Sequence, residues 1–245
     1  MKLFFLSYFL ICCSMFSFTQ NQLVITTINY PPFYQDSTDE QGLACDLLRE
    51  VLTSENIDFV FTFVPPLRMI HEIHNNVSLC GLGKKLQQAN DDLIISNSLY
   101  RVNLVLIYDS RVFPEGITFS TFNDIQNLTI GVLEKNATTD LLIKNKDVII
   151  SENTSNTLIA KQLYNHLIDA WATVDISGLM TLKELFPTEY RYFKCTNPIE
   201  TSEINVIIPK EMDRDNYYSL KINQGIDKLK KSNKYKEITK KYDTN

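Results

Sequence analysis

Strand patterns and helix patterns alternate twice along this chain, in an order that few folds accommodate. The β-rich run 23–28 precedes a pattern with an apolar helical face over 43–52, and 57–63 alternates apolar and polar residues as a strand does. A second unit begins near Phe122 and passes through strand, helix, strand, helix and strand patterns before a helix opened by Asp175. Crossover helices between parallel strands give this order, so the sequence predicts an α/β fold with parallel sheets.

Two extended runs, 103–116 and 203–209, follow the first and second units. A long helix pattern from Asp213 to about Lys231 and a short basic helix ending near Tyr242 complete the chain. No Gly-, Pro- or Ser-rich linker separates independent domains. The simplest architecture therefore has two lobes joined by two strand crossovers, with 20–109 and 203–245 in the first lobe and 110–202 in the second.

The N-terminal segment 1–19 has the pattern of a secretory signal. Lys2 is followed by a short apolar run, which ends in small residues at Ser17 and Thr19. The run is shorter and more broken than the roughly 20 apolar residues that usually span a bilayer. We expect cleavage after Thr19 and a periplasmic or otherwise secreted protein, with an uncleaved anchor as the alternative.

Charge and cysteine content restrict the function further. The net charge of −5 becomes −6 without 1–19, which argues against nucleic-acid binding because that needs clustered positive charge. Three cysteines follow the leader, namely Cys45, Cys80 and Cys195. An odd number permits one disulfide and leaves one thiol free, but the spacing does not choose the pair.

Motifs for catalysis or metal binding are weak. His71 and His74 could share a helix face, but they lack the i, i+4 spacing of a zinc-protease pair, and no third ligand is apparent. Neither a Gly-x-Ser-x-Gly motif nor a phosphate-binding glycine loop occurs. The sequence predicts a protein without metal or cofactor that is not an enzyme.

The stretch "NYPPFYQ" directly follows the first strand. Ligands of open α/β sheets bind beyond the carboxyl ends of the strands, and two prolines stiffen the loop at that position. Tyr30, Phe33 and Tyr34 are therefore predicted to line a cleft as flat apolar walls. In the alternative interpretation, Phe33 or Tyr34 fills the end of the sheet.

Seven segments follow one another along the chain, namely "TINYPPFYQ", "GLACDLLREVL", "PPLRMIHEI", "SNSLYRVNLVLI", "NLTIGVLEKNATTDLL", "LIDAWATVD" and "GIDKLKKSNKYKEITKKY". In this order they resemble the family 3 extracellular solute-binding proteins, which serve ABC importers of polar amino acids and similar solutes. The resemblance implies a two-lobed type II periplasmic-binding-protein fold, with a mixed, mostly parallel sheet flanked by helices in each lobe and two hinge crossovers. It also implies a monomer that binds a small polar solute between its lobes and delivers it to a membrane permease.

The resemblance also suggests individual binding residues. Arg68 follows Pro65-Pro66 and could hold a carboxylate through two hydrogen bonds, although a surface arginine is the alternative. In the second lobe, Asn136, Thr138 and Thr139 precede or open a helix whose free N–H groups favour an anion, with plain helix capping as the alternative. Asp175 would pair with a ligand ammonium group or, alternatively, cap its helix at the solvent.

One departure from the family pattern concerns the ligand carboxylate. Amino-acid binders of the family carry Thr-x-x-Arg before the Ser-x-Pro-Tyr segment, whereas this chain has Leu86 and Ala89 at those positions. Lys84 or Lys85 could replace the charge, but lysine offers a point charge and not a planar fork. The sequence therefore leaves the identity of the solute open.

Two other functions remain as alternatives. An exported enzyme similar to cyclohexadienyl dehydratases would need a general acid or base in the cleft, for which Asp175 and Glu134 are the candidates. A degenerate binding module would instead act through a sensor or another protein partner.

Overall fold

The computed structural model describes residues 22–78, 80–84, 92–134, 139, 142 and 148–242, with the backbone alone for Cys80 and for 82–84. The strands are β1 Leu23–Thr27, β2 Phe59–Phe63, β3 Cys80–Lys84, β4 Leu93–Ile95, β5 Tyr100–Asp109, β6 Thr129–Leu133, β7 Ile149–Asn153, β8 Ala170–Val174, β9 Phe193–Cys195 and β10 Glu200–Pro209. The helices are α1 Leu43–Ser54, α2 Pro66–His74, α3 Asn156–Tyr164, α4 Asp175–Leu185, α5 Tyr217–Lys230 and α6 Asn233–Lys241.

The strands form one continuous sheet in the order β2-β1-β3-β10-β5-β8-β6-β7, with β4 paired to β10 and β9 paired to β5. Two halves of this sheet share one arrangement. The first half-sheet is β2-β1-β3-β10-β4 and the second is β7-β6-β8-β5-β9, and in each of them only the fourth strand runs antiparallel to the others. The prediction of a mixed, mostly parallel sheet flanked by helices is confirmed.

The strands β5 and β10 are each 10 residues long and connect the two half-sheets. They pair with one another from Tyr100↔Ile204 to Leu104↔Glu200. Beyond that ladder β5 continues along β8 in the second half-sheet, while β10 continues along β3 in the first. These are the extended runs in which the sequence predicted the two crossovers.

Helices cover both faces of the first half-sheet. One face packs against α1, α5 and α6 through a core that includes Leu23, Leu47 and Ile226, and α2 packs on the other face through Met69 and Ile73. In the second half-sheet, α3 and α4 enclose the fully buried Trp171 on one face. Burial of such large apolar side chains is the main favourable contribution to folding.

Side-chain hydrogen bonding helps to set the start of α5. The Asp213 carboxylate accepts hydrogen bonds from the backbone N–H groups of Tyr218 (2.9 Å) and Ser219 (3.0 Å), so α5 begins at Tyr217 and not at Asp213 as predicted.

Among the described cysteines, Cys45 and Cys195 have free thiols, and burial raises the pKa of Cys45 to about 12. Within the described ranges, no helix is long and apolar enough to cross a bilayer.

Candidate functional site

The carboxyl ends of the parallel strands lie together at one edge of each half-sheet. In the first, Thr27 is paired with Phe63 and Thr26 with Gly81, so the segments that follow β1, β2 and β3 leave from the same edge. In the second, Leu133 is paired with Asn153 and Gly131 with Trp171, which places the ends of β6, β7 and β8 at a common edge. Loops at such edges are the usual ligand sites of α/β proteins.

The two edges face each other across the paired part of β5 and β10. Lys84 at the end of β3 is paired with Ile204, whereas Val174 at the end of β8 is paired with Leu104. Ile204 pairs with Tyr100 at one end of the β5–β10 ladder, and Leu104 pairs with Glu200 at the other end. Four residue steps of an antiparallel strand separate the edges by roughly 13 Å along the ladder.

The loop after β1 is a tight, internally bonded turn. The Tyr30 N–H donates to the Tyr34 carbonyl (2.7 Å), the Tyr34 N–H donates back to the Tyr30 carbonyl (3.0 Å), and the Pro31-Pro32 peptide is cis. The carbonyls of Pro32 and Phe33 accept the N–H groups of Leu43 (2.8 Å) and Ala44 (3.0 Å). The loop therefore satisfies two free donors at the start of α1.

The three aromatic residues of this loop have different environments. Phe33 is only 1% exposed and Tyr34 is 4% exposed, and both lie in the core that includes α1. Their burial in this conformation agrees with the alternative interpretation, in which they fill the end of the half-sheet, and the lining of a cleft by these two residues stays a prediction. Tyr30 is half-buried at the edge and is the most exposed of the three.

Tyr30 meets the second half-sheet at Ser177, in the first turn of α4. Burial raises the pKa of the Tyr30 phenol, and the neighbouring Ser177 hydroxyl offsets part of that shift. Ser177 is 6% exposed, and its Oγ makes no hydrogen bond of ordinary geometry within the described part of the chain. Val174 and Ile176, on either side of Asp175, pack in the same apolar cluster as Tyr30.

Asp175 is the first residue of α4 and is half-buried beside β5 and β10, which we call the hinge strands. Its carboxylate accepts hydrogen bonds from Asn103 Nδ2 (3.0 Å) and from the Ile176 N–H (2.8 Å). Asn103 Oδ1 in turn accepts a hydrogen bond from Thr201 Oγ1 (3.0 Å), on the other hinge strand. Asp175 is thus held between the half-sheets, where its charge also interacts favourably with the helix dipole, and is not a cap directed at open solvent.

Arg68 lies in the first turn of α2, which follows β2 at the edge of the first half-sheet. Its Nε donates to Glu72 Oε1 (2.7 Å), and this bond is the main reason that the pKa of Glu72 is lowered. The Glu72 carboxylate also accepts hydrogen bonds from Ser78 Oγ (2.9 Å) and Thr26 Oγ1 (3.3 Å). The Arg68 side chain remains 66% exposed, so the guanidinium is held at one end and accessible at the other.

The remaining predicted residues are only partly described. Thr139 is buried, and its hydroxyl donates to the Leu133 carbonyl (2.6 Å), which is a structural role in this conformation. Lys84 ends β3 at the edge of the first half-sheet, with its backbone alone described. Lys85, Asn136 and Thr138 lie outside the described residues.

The other candidate catalytic and metal-binding side chains lie apart from Tyr30 and Asp175 in the sequence and at exposed positions. Glu134 is exposed in the turn after β6, and His71 and His74 are exposed on α2. The described residues contain no group of three His, Cys, Asp or Glu side chains placed to hold a metal ion.

Sequence reasoning missed Ser177, Asn103 and Glu72. Ser177 could have been found from its position two residues after Asp175, at the start of a helix that follows a strand. Glu72 could have been found from its i, i+4 spacing to Arg68 on a predicted helix, whereas Asn103 carried no local signal because its partner Asp175 is 72 residues away.

Solved structures resemble this chain over most of its length. Substrate-binding domain 2 of GlnP from Lactococcus lactis, in an open conformation, superposes with a TM-score of 0.72 at 17% identity, covering 91% of this chain and 96% of that one. The GluR0 ligand-binding core in complex with L-glutamate gives 0.68 at 14% identity, covering 90% and 97%. The second substrate-binding domain of a putative amino acid ABC transporter from Streptococcus pneumoniae gives 0.67 at 18% identity, covering 90% and 99%.

Neither a protein-family model nor a curated protein sequence matches the chain. The structural likeness at this low identity establishes the architecture. Two half-sheets of equal strand order, two hinge strands and near-complete superposition on these domains together show that the chain has the two-lobed fold of the type II periplasmic binding proteins.

Proposed function

We propose that this protein captures a small polar solute, an amino acid or a related compound, between its two lobes. The observation that carries this proposal is that the carboxyl-terminal strand edges face each other, with Tyr30 from one edge beside Ser177 from the other, two residues after the half-buried Asp175. An aromatic ring, a buried hydroxyl and a half-buried carboxylate suit a solute with an apolar part and a positively charged or hydrogen-bonding group.

Binding is proposed to act through closure of the hinge. With lobe boundaries at 20–109 plus 203–245 and at 110–202, a solute that contacts both edges favours the closed arrangement over the open one. A ligand shifts such an equilibrium only through its differential affinity for the two states. Closure would then present a single surface to a partner.

The proposed partner is the membrane permease of an ABC importer, and the proposed location is the periplasm or another extracytoplasmic space. Two of the similar structures support this choice, since one is a substrate-binding domain of GlnP and the other is a substrate-binding domain of a putative amino acid ABC transporter. We also propose that the protein is a monomer and is not an enzyme.

A thermal-shift screen tests the proposal. Amino acids, opines, small organic acids, amines and short peptides would be added separately, and a bound solute should raise the melting temperature by mass action. Failure of every class to shift the melting temperature would contradict solute capture. Turnover of a stabilising compound would favour the dehydratase-like alternative, and a co-purifying protein in place of any solute would favour the module that acts through a partner.

A further inference from the structure

The C-terminal stretch 221–242 has a charge opposite to that of the rest of the chain. It contains eight lysines, no arginine and two acidic residues, a net charge of +6 within a chain of net charge −5, so the remaining residues carry −11. The stretch comprises most of α5 and all of α6, which pack on α1 through buried or partly buried Ile222, Ile226 and Tyr235.

Half of these lysines are neutralised by neighbouring carboxylates. Lys221 and Lys228 both contact Glu55, at 3.1 Å and 2.6 Å. Lys234 pairs with Glu237, and Lys241 pairs with Glu40 and Asp46. These four lysines have partners within the protein and need no external one.

The other four, Lys230, Lys231, Lys236 and Lys240, form what we call the lysine patch. All four are exposed, and none forms an ion pair with any residue that the structure describes. Lys236 and Lys240 lie on one face of α6 at i, i+4, where like charges repel. A favourable interaction with the helix dipole explains why Lys230 and Lys240 occur in the last turns of their helices, but it does not explain Lys236 in the middle of α6.

The chemistry of the patch distinguishes among anionic partners. The exposed side chains of 221–242 are all polar or charged, and the exposed Tyr217 and Leu220 lie at the start of α5, about 15 Å or more along the helix from Lys230. The patch itself therefore offers no exposed aromatic ring to stack on a nucleic-acid base and no exposed apolar anchor for a protein interface. Lysine also lacks the planar fork with which arginine recognises a single phosphate or carboxylate. Mobile point charges on an amphipathic helix suit a diffuse array of phosphates, as at the surface of an anionic bilayer.

We propose that the lysine patch holds the protein at an anionic lipid surface. The patch lies on the helix-covered face of the first half-sheet and not at the strand edges, so contact with lipid leaves the candidate solute site uncovered. This inference is independent of solute binding.

Vesicle flotation at low salt tests the inference, with phosphatidylcholine vesicles that either contain or lack phosphatidylglycerol. Binding to the neutral vesicles is subtracted, because it reports apolar insertion, including any by the N-terminal run. A fourfold variant removes the charges of the patch without disturbing a buried contact, because all four side chains are exposed. It is Lys230→Gln, Lys231→Gln, Lys236→Gln, Lys240→Gln. Each lysine near an anionic surface is expected to raise the partition coefficient about fivefold, so the loss of four should lower binding to the anionic vesicles by about 100-fold or more. Added salt should weaken wild-type binding.

The matched control is Lys161→Gln, Lys183→Gln, Lys194→Gln, Lys210→Gln, which removes four exposed lysines elsewhere. It should bind within about threefold of the wild type, since surface potentials fall off within a Debye length. Equal losses in the two variants, or no preference of the wild type for anionic vesicles, would overturn the proposal. So would lysine-dependent binding to poly-L-glutamate without binding to vesicles, which would point to an acidic protein partner. Far-ultraviolet circular dichroism checks folding, and Lys236→Gln, Lys240→Gln alone serves if the fourfold variant misfolds.

Discussion

Tyr30 and Ser177 meet between the two half-sheets, although one follows the first strand of the chain and the other lies in the first turn of α4. The phenol is half-buried there, and the Ser177 hydroxyl beside it is buried without a hydrogen bond of ordinary geometry among the described residues. The Tyr30 phenol is its polar neighbour, and a polar ligand group at this position would add a hydrogen bond of ordinary geometry to the buried hydroxyl.

Truncation of Tyr30 should separate its packing role from its polar role. Tyr30→Ala removes a half-buried ring from the core cluster and is expected to lower the free energy of unfolding by about 2 kcal/mol, whereas Tyr30→Phe should cost less than about 1 kcal/mol. Urea denaturation measures both values. Equal costs for the two variants would show that the hydroxyl, and not the ring, stabilises the contact between the half-sheets.

Gly42 is predicted to be irreplaceable for the loop that carries Tyr30. Its φ of +95° disfavours other residues, and a Cβ there would lie 2.6 Å from the Phe33 carbonyl oxygen. Gly42→Ala should therefore destabilise the protein by at least about 2 kcal/mol in urea denaturation.

Gly116→Ala is the comparison for Gly42. Gly116 also has a positive φ, of +81°, but its nearest neighbour would be the Tyr108 hydroxyl at 3.0 Å, a side-chain end that can move. The Gly42 variant should be the less stable of the two. A smaller loss at Gly42 than at Gly116 would contradict the close packing of the loop on α1.

Glu55 is expected to stabilise the contact between α1 and α5. Its carboxylate is 2% exposed and bonded to Lys228 and Lys221, which lower its pKa. Glu55→Gln should lower the free energy of unfolding at neutral pH by about 1–2 kcal/mol, because two charge-assisted hydrogen bonds are weakened. The control is Glu237→Gln, which breaks only an exposed pair with Lys234 and should change stability by less than about 0.5 kcal/mol.

Arg68→Ala is predicted to abolish the ligand-induced rise in melting temperature, because it removes the proposed contact to a ligand carboxylate. It should also change the acid stability. Hydrogen bonds from Arg68 and its neighbours lower the folded-state pKa of Glu72 below 4.5, so Glu72 contributes stability above that value and loses it as the pH falls through the folded pKa. In the variant, the free energy of unfolding should depend less on pH between about pH 5 and pH 3.

The two readouts for Arg68 are independent. A full ligand-induced shift in Arg68→Ala would exclude Arg68 from the ligand site, but it would not contradict a stabilising bond between Arg68 and Glu72 in the wild type. An unchanged pH dependence would instead contradict the contribution of that bond to stability.

Much of the fold could be predicted from the sequence because its larger elements have clear periodicities. The helical face of 43–52 and the extended run before Pro209 each gave the correct element, and their order implied two crossovers. The three-residue strands β4 and β9 were missed, because three residues are too few to show a period.

The site was less predictable because it depends on contacts between distant segments. The position of Tyr30 at a strand end followed from local pattern, but the burial of Phe33 depends on how α1 meets the loop. The placement of Asp175 beside Asn103 depends on the register of β5 against β8, which no local pattern specifies.

Calorimetric titration of a stabilising solute from the thermal-shift screen is the most direct test of binding between the lobes. The three proteins to compare are the wild type, Asp175→Asn and Asp58→Asn, because Asp58 is exposed and precedes β2, away from the facing edges. Asp175→Asn keeps the size of the side chain but removes its charge, so it should weaken an ammonium-bearing solute at least about tenfold, while Asp58→Asn should match the wild type. Equal affinities in all three proteins would place the solute elsewhere and contradict a binding site between the facing edges.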